Sequence, residues 1–252
     1  MSLALGHLLD TFQPISLEEM DAVALQQRVD TKFVFADHQL PGLLEELLPH
    51  YRLLHAGGAR GTEYRSLYLD TADLRGFREH HNGRVLRHKV RYREYVGSDL
   101  FFLEVKRKTG RGDTDKRRLR VESIPNDIPA DHHTFIKKMT GWTDPVRPTL
   151  WNRFTRLTFV DHDRTERLTV DMSIRFTTIN GSEKALEGIC VAELKRQRGP
   201  GASHFAQAVR ERGIRPGGMS KYCVGLLLVD AAPKYNAFKP LLMQLVQLHR
   251  AA

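Results

Sequence analysis

Cysteine is nearly absent from this chain: its 252 residues include two, Cys190 and Cys223, each inside an apolar run. Two thiols without ligand spacing exclude a disulfide framework and a zinc module, and they suit a reducing compartment. No apolar stretch approaches the ~18 residues that a membrane-spanning helix needs. The basic-then-apolar order of a secretory signal is missing from the N-terminus, so a cytoplasmic location is the expectation. Neither Gly57-Gly58 nor Gly217-Gly218 stands between a strand and a helix, which removes a phosphate loop and leaves turns. Ser220 precedes Lys221 without a Ser-x-x-Lys arrangement or a nucleophile elbow. The pairs His80–His81 and His132–His133 are adjacent residues, which face apart on a strand and are not at ligand spacing on a helix. Asp161 and Asp163 fall in a hairpin turn, where Asp is commonplace. A strip of exposed aromatics for stacking bases is also lacking, so no nucleic-acid partner is expected. With no repeat, low-complexity tract or linker, residues 1–252 read as one domain.

Positive charge is what the chain has in excess. It carries 39 Lys and Arg against 30 Asp and Glu, a formal net charge of +9. Such a balance favours an anionic partner, although a basic but inert surface would give the same number. Residues 1–27 read as short helices, with a capping box from Ser16 to Glu19. A helical segment follows over 37–50, and others are expected at 132–140, 203–212 and 235–250. Gly213 supplies a C-cap after the third of these. Between them the period changes to two, which predicts strands at 29–35, 63–70, 84–95, 100–108, 116–123, 150–160, 166–176 and 187–197. The apolar run 220–229 is too short to assign to helix or strand.

The polar faces of these strands are repeatedly rows of charge. Lys89, Arg91 and Arg93 alternate with Val90 and Tyr92; Glu104, Lys106 and Lys108 share a face opposite Leu103 and Val105. Lys116, Arg118 and Arg120 form another row, as do Arg167, Thr169 and Asp171, and Glu193 with Lys195. One such strand is an ordinary solvated face. Five in series are different, because adjacent like charges destabilise a sheet unless carboxylates or a counter-anion separate them. About eight strands can close around one narrow ligand. The fold class expected is therefore α+β: a closed antiparallel β-barrel of about eight strands with covering helices. Periodicity alone leaves open whether the charges point inward or outward.

The ordered motifs point inward. RVDTKF at 28–33, YLDT at 68–71, KVRYR at 89–93, FLEVKRK at 102–108 and RLRV at 118–121 are followed by WNRF at 151–154, RLTVD at 167–171, AELK at 192–195 and SKY at 220–222. This series resembles the polyphosphate-polymerase domain of the vacuolar transporter chaperone (VTC) family. That family belongs to the CYTH-like triphosphate tunnel metalloenzymes. The resemblance spans about 28–229 and implies a tunnel with basic and acidic residues pointing inward. One departure matters. The Glu-x-Glu-x-Lys start of CYTH-type triphosphatases reads here as Arg28, Asp30 and Lys32, which removes a hard oxygen ligand and looks like the polymerase branch. It also puts a two-metal scheme in doubt.

The resemblance implies phosphate contacts from Lys32, Arg91, Arg93, Lys106, Lys116, Arg153 and Lys221, with Arg167 as a further clamp. Glu193 matches the family's metal-binding carboxylate, and Glu104 is either a second ligand or a lumen salt bridge. Lys221 and Glu193 are the expected catalytic pair. For Asp171 a structural salt bridge is the preferred reading. Mg²⁺ or Mn²⁺ suits oxygen ligands and phosphates. The function implied is metal-dependent transfer of the terminal phosphoryl group of ATP to polyphosphate, and product translocation would need a separate membrane-protein partner. A triphosphatase on the same tunnel and a non-catalytic polyphosphate sensor are the alternatives.

Overall fold

The computed structural model describes residues 3–21, 28–110, 114–197 and 202–251. Its strands are β1 (Pro14–Ile15), β2 (Arg28–Ala36), β3 (Tyr51–Leu54), β4 (Thr62–Thr71), β5 (Arg87–Tyr95), β6 (Leu100–Lys108), β7 (Thr114–Val121), β8 (Val146–Asp161), β9 (Glu166–Thr178), β10 (Glu183–Leu186) and β11 (Ile189–Gln197). The helices are α1 (Leu3–Thr11), α2 (Leu17–Asp21), α3 (Leu40–Leu47), α4 (Arg75–His81), α5 (Ala130–Thr140), α6 (His204–Glu211), α7 (Lys221–Leu228) and α8 (Lys239–Ala251). All eight expected strands form. The capping box forms too, with Ser16 N–H donating to Glu19 Oε2 at 2.9 Å and Glu19 N–H to Ser16 Oγ at 3.2 Å. The end of the expected N-terminal helical region, 22–27, lies outside the described residues. The ambiguous run 220–229 is helical, and α4 and the short strands β1, β3 and β10 are additions.

The sheet has the main order β2-β11-β9-β8-β4-β5-β6-β7, with antiparallel neighbours throughout. Barrel closure does not occur: among the described residues no ladder joins β2 to β7. The outer edge of β2 is already occupied. Gly217 N–H donates to the Lys32 carbonyl at 2.8 Å, and Pro216 bridges Phe33. The exposed basic row of β7 would also meet Arg28 and Lys32, and like charges side by side disfavour pairing.

The sheet nevertheless curls strongly. Flat, β2 and β6 would stand about 29 Å apart, six strand spacings. Instead Lys106 on β6 feels the charges of Lys32 on β2 and of Glu193 and Lys195 on β11. The convex side is covered by helices in two places. Leu157, Phe159, Leu168 and Leu194 pack against Leu9, Leu43, Leu44 and Phe205 from α1, α3 and α6. Val90, Tyr92, Leu103 and Val105 pack against Ile136 of α5 and Trp142.

The concave side divides into two zones. One is apolar: Val34, Val191, Ile174, Phe176, Leu150 and Phe154 pack against α7, with Phe77 of α4 and Leu245 of α8. Helix α7 starts where Ser220 Oγ accepts from Cys223 N–H at 3.3 Å, and it lies against the sheet at Gly225. A Cβ on Gly225 would stand 2.5 Å from Leu150 Cδ2 and from Phe176 Cδ1, so only glycine allows this approach. These helices plug the concave side at one end. The remaining zone is the basic basin.

A bulge joins the two zones on β9. Pairing with β8 shifts between Arg153/Arg175 and Thr155/Met172, which leaves an extra residue on β9. Ser173 there has φ +53°, a left-handed conformation that absorbs the insertion. Asp171 and Ile174 consequently both belong to the concave side, although simple alternation separates them.

Candidate functional site

Three carboxylates organise the basin. Glu104 on β6 is 1% exposed and accepts from Arg91 Nε and Nη2 at 2.9 and 2.6 Å. Its other oxygen takes Lys116 Nζ at 3.1 Å, and Arg93 Nη1 stands 3.9 Å away. Asp171 holds Arg156 through contacts of 2.6 and 2.8 Å and is also paired with Lys221. Glu193 is paired with Lys195 and lies 3.6 Å from Lys32 Nζ. Seven cations thus share three carboxylates. Lys89 and Lys106, opposite each other on β5 and β6, have no carboxylate within 4.0 Å among the described residues.

The electrostatics follow from burial and crowding. Burial would raise Glu193, but Lys195 and Lys32 overcome it and hold its carboxyl down at about 2. Glu104 and Asp171 are likewise held well below the usual range, burial being outweighed by Arg91 and by Arg156 respectively. Burial pushes the Lys106 and Lys221 ammonium groups down to about 8. Lys89 falls to about 7, again mainly through burial, with Lys32 and Lys106 adding repulsion.

Most of the expected site residues converge. Lys32, Arg91, Arg93, Lys106, Lys116, Glu104, Glu193 and Lys221 all contribute to the basin. Arg167 lies opposite Lys195 in the β9–β11 register, where its Nη2 donates to the Met20 carbonyl of α2 at 3.4 Å. Arg153 does not converge. Its side chain is 61% exposed and pairs with Glu63. It shares strand parity with Leu157 and Phe159, which face the covering helices, so alternation turns it outward. Arg156 is the β8 cation in the basin, and the parity of Leu157 is the signal that would have identified it.

Two motifs are architectural. Asp70 of YLDT is fully buried and accepts from the N–H groups of Gly76 at 2.8 Å and Phe77 at 3.0 Å, and from Tyr222 Oη at 2.5 Å. It ties α4 and α7 to β4. Arg28 and Asp30, at the start of β2, pair with each other at 3.1 Å on the surface.

Metal fit is limited to one position. Among the described residues no three His, Cys, Asp or Glu side chains converge as a metal cluster. Glu104 is consumed by its cations. Glu193, at 19% side-chain exposure, is the more accessible carboxylate and fits an ion shared with bound phosphates. An apolar groove of about 840 Å³, lined by Phe33, Leu194 and Val209, lies on the convex side and is unconnected with this charge cluster.

Fold and basin together define a curled antiparallel sheet that presents ion-paired cations on its concave side. The VTC domain model matches residues 27–229, most of the chain, and the protein belongs to that family. A search of curated proteins returns no match. Among solved structures, the PH1819 protein of Pyrococcus horikoshii OT3 is similar at 12% identity and a TM-score of 0.45, over 79% of this chain and 96% of that one. A Hippeastrum protein for which a dominant triphosphatase activity is described is similar at 13% identity and a TM-score of 0.44, over 79% and 95%. The Pct1 RNA triphosphatase of S. pombe is 9% identical with a TM-score of 0.28, over 92% and 88%. Among the described residues no helix is long and apolar enough to cross a membrane.

Proposed function

We propose that this chain, acting as one domain, binds polyphosphate and a nucleoside triphosphate, ATP, in the basic basin, and transfers the terminal phosphoryl group of ATP to the polyphosphate chain. The observation that carries the reading is the charge inventory: seven cations on three carboxylates, with Lys89 and Lys106 lacking any among the described residues. Only a polyanion neutralises such an excess in a half-buried space. Membership of the VTC family supports the phosphate chemistry.

Phosphoryl transfer asks the protein chiefly for charge neutralisation and alignment. A terminal oxygen of polyphosphate attacks the γ-phosphorus, the bond to the β–γ bridging oxygen breaks, and ADP leaves with that electron pair. Arg91, Arg93 and Arg156 are suited to clamp phosphate oxygens, their guanidinium planes being fixed by Glu104 and Asp171. Lys32, Lys106 and Lys116 add point charges, and Arg167 does so beside α2. Lys221 projects from the first turn of α7 and is placed to meet the charge that develops on the transferred group. Glu193 would hold Mg²⁺ or Mn²⁺ together with phosphate oxygens, and such an ion supplies further charge neutralisation.

Product analysis with ATP and either metal tests the reading. Long polyphosphate supports the polymerase. Orthophosphate would replace it with a triphosphatase, and tight binding without turnover would replace it with a sensor.

A further inference from the structure

We propose that His80 and Lys89, with Lys106, form a separate anion subsite at the plugged end of the basin, and that a phosphate group enters it together with a proton. The inference rests on the phosphate-binding reading above and adds two residues to it. Lys89 and Lys106 are directly opposite in the β5–β6 register, and neither has a carboxylate partner among the described residues. Two buried lysines facing each other without a carboxylate between them leave a place that an anion can fill.

His80, on helix α4, which packs against β5, lies within the electrostatic reach of Lys89. Its Nδ1 is buried and has no hydrogen-bond partner among the described residues. The ring stacks on Phe238 with centroids 5.9 Å apart and planes 9° from parallel. Helix α4 is itself fixed at its start by the Asp70 carboxylate. The imidazole is therefore held in position with its polar atom unused. Burial depresses its pKa to about 3, and the charges around it reinforce this: Lys89 and Arg87 from β5, Lys32 from β2, Lys108 from β6. Around Lys89 stand Cys223 of α7, Lys32, Lys106 and Arg87.

A tetrahedral oxyanion of high charge, such as a terminal phosphate, fits these groups. It would accept from both ammonium groups and from the imidazole, and it would reverse the local field. Burial lowers the pKa of Lys89 to about 7, so at pH 8 its neutral form is populated in the free protein. An anion beside it favours the charged form, so binding takes up protons at this lysine.

Calorimetric titration with tripolyphosphate at pH 8, in two buffers of different ionisation heat, measures affinity and proton uptake together. Wild type is expected to bind with net uptake. Lys89→Met should bind on the order of tenfold more weakly and take up clearly less. His80→Phe keeps the stack on Phe238 and should also lose affinity. Lys89→Met removes a repulsion, so an unchanged or raised apo melting temperature separates lost binding from lost folding. A Lys89→Met variant with wild-type affinity and uptake overturns this subsite alone. A wild type that does not bind tripolyphosphate at all overturns the phosphate-binding reading and this subsite with it.

Discussion

Two arginines three residues apart on β8 separate the basin reading from the motif reading. Arg156→Met removes one of two cations from Asp171, whose side chain is 4% exposed. Two charge-assisted contacts are lost, at 2.6 and 2.8 Å. Breaking a buried pair costs about 3–5 kcal/mol when the remaining charge is left alone. Lys221 stays on Asp171, so about 2–4 kcal/mol is the expected loss. Arg153→Met breaks an exposed pair with Glu63 and should cost about 0–1 kcal/mol. Urea unfolding of both variants measures the difference. Adding Asp171→Asn to Arg156→Met should recover part of the stability, because the uncompensated charge disappears with its partner. Tripolyphosphate titrations should show a clear weakening for Arg156→Met and none for Arg153→Met. The placement of Arg156 in the basin is refuted if Arg153→Met weakens binding while Arg156→Met does not.

Other perturbations reach other parts of the structure. Gly225→Ala should destabilise by about 1–3 kcal/mol in urea, because the new methyl meets Leu150 and Phe176 at 2.5 Å. The free protein should become more stable from pH 7 to 9 in melting experiments. The folded pKa values of Lys89 and Lys221, about 7 and 8, lie below the unfolded value, so over this range the unfolded chain binds more protons and stability rises with pH. The limit is about 1.4 kcal/mol per pH unit for each lysine. Tripolyphosphate should raise the melting temperature at low salt and less at high salt, since it binds the folded basin and much of the effect is screened. Glu193→Gln should abolish metal-dependent turnover measured as product release, while polyphosphate affinity is kept or increased.

Much of the basin was legible because strand parity is a rigid rule. Lys89, Arg91 and Arg93 had to share a side, as did Glu104 with Lys106 and Glu193 with Lys195. Which rows would meet was not legible. Asp171 finds Lys221 across fifty residues of sequence, through a helix whose short apolar run does not reveal its type. The bulge at Ser173 was equally hidden, since nothing local requires a left-handed serine there. Arg153 shows the opposite failure. Leu157 and Phe159 set the outward face of β8, and their parity overrides the position that the WNRF motif suggests for Arg153. Closure was overestimated because strand number says nothing about what occupies an edge. Gly217, read only as a turn residue, takes a hydrogen-bonding position on β2.

The carboxylates explain how a basin this basic can fold before any ligand is present. Unscreened, neighbouring ammonium and guanidinium groups in a half-buried space would repel strongly enough to open the sheet. Glu104 and Asp171, nearly inaccessible, fix the arginines in planes that a phosphate can meet. Glu193 is more open, and its lysine Lys32 is 38% exposed, so this pair can exchange for ligand oxygens at low cost. Lys89 and Lys106 have no such partner among the described residues, and burial lowers their pKa values as it does that of the paired Lys221. Two devices therefore keep the empty basin tolerable, ion pairing to its three carboxylates and a lowered pKa at its buried lysines. On the proposed reading, an entering polyanion would reverse the second without having to break the first. Affinity should consequently depend on pH more steeply than on the loss of any single arginine–carboxylate pair, because neutral lysines must be recharged on binding whereas paired arginines are already in place.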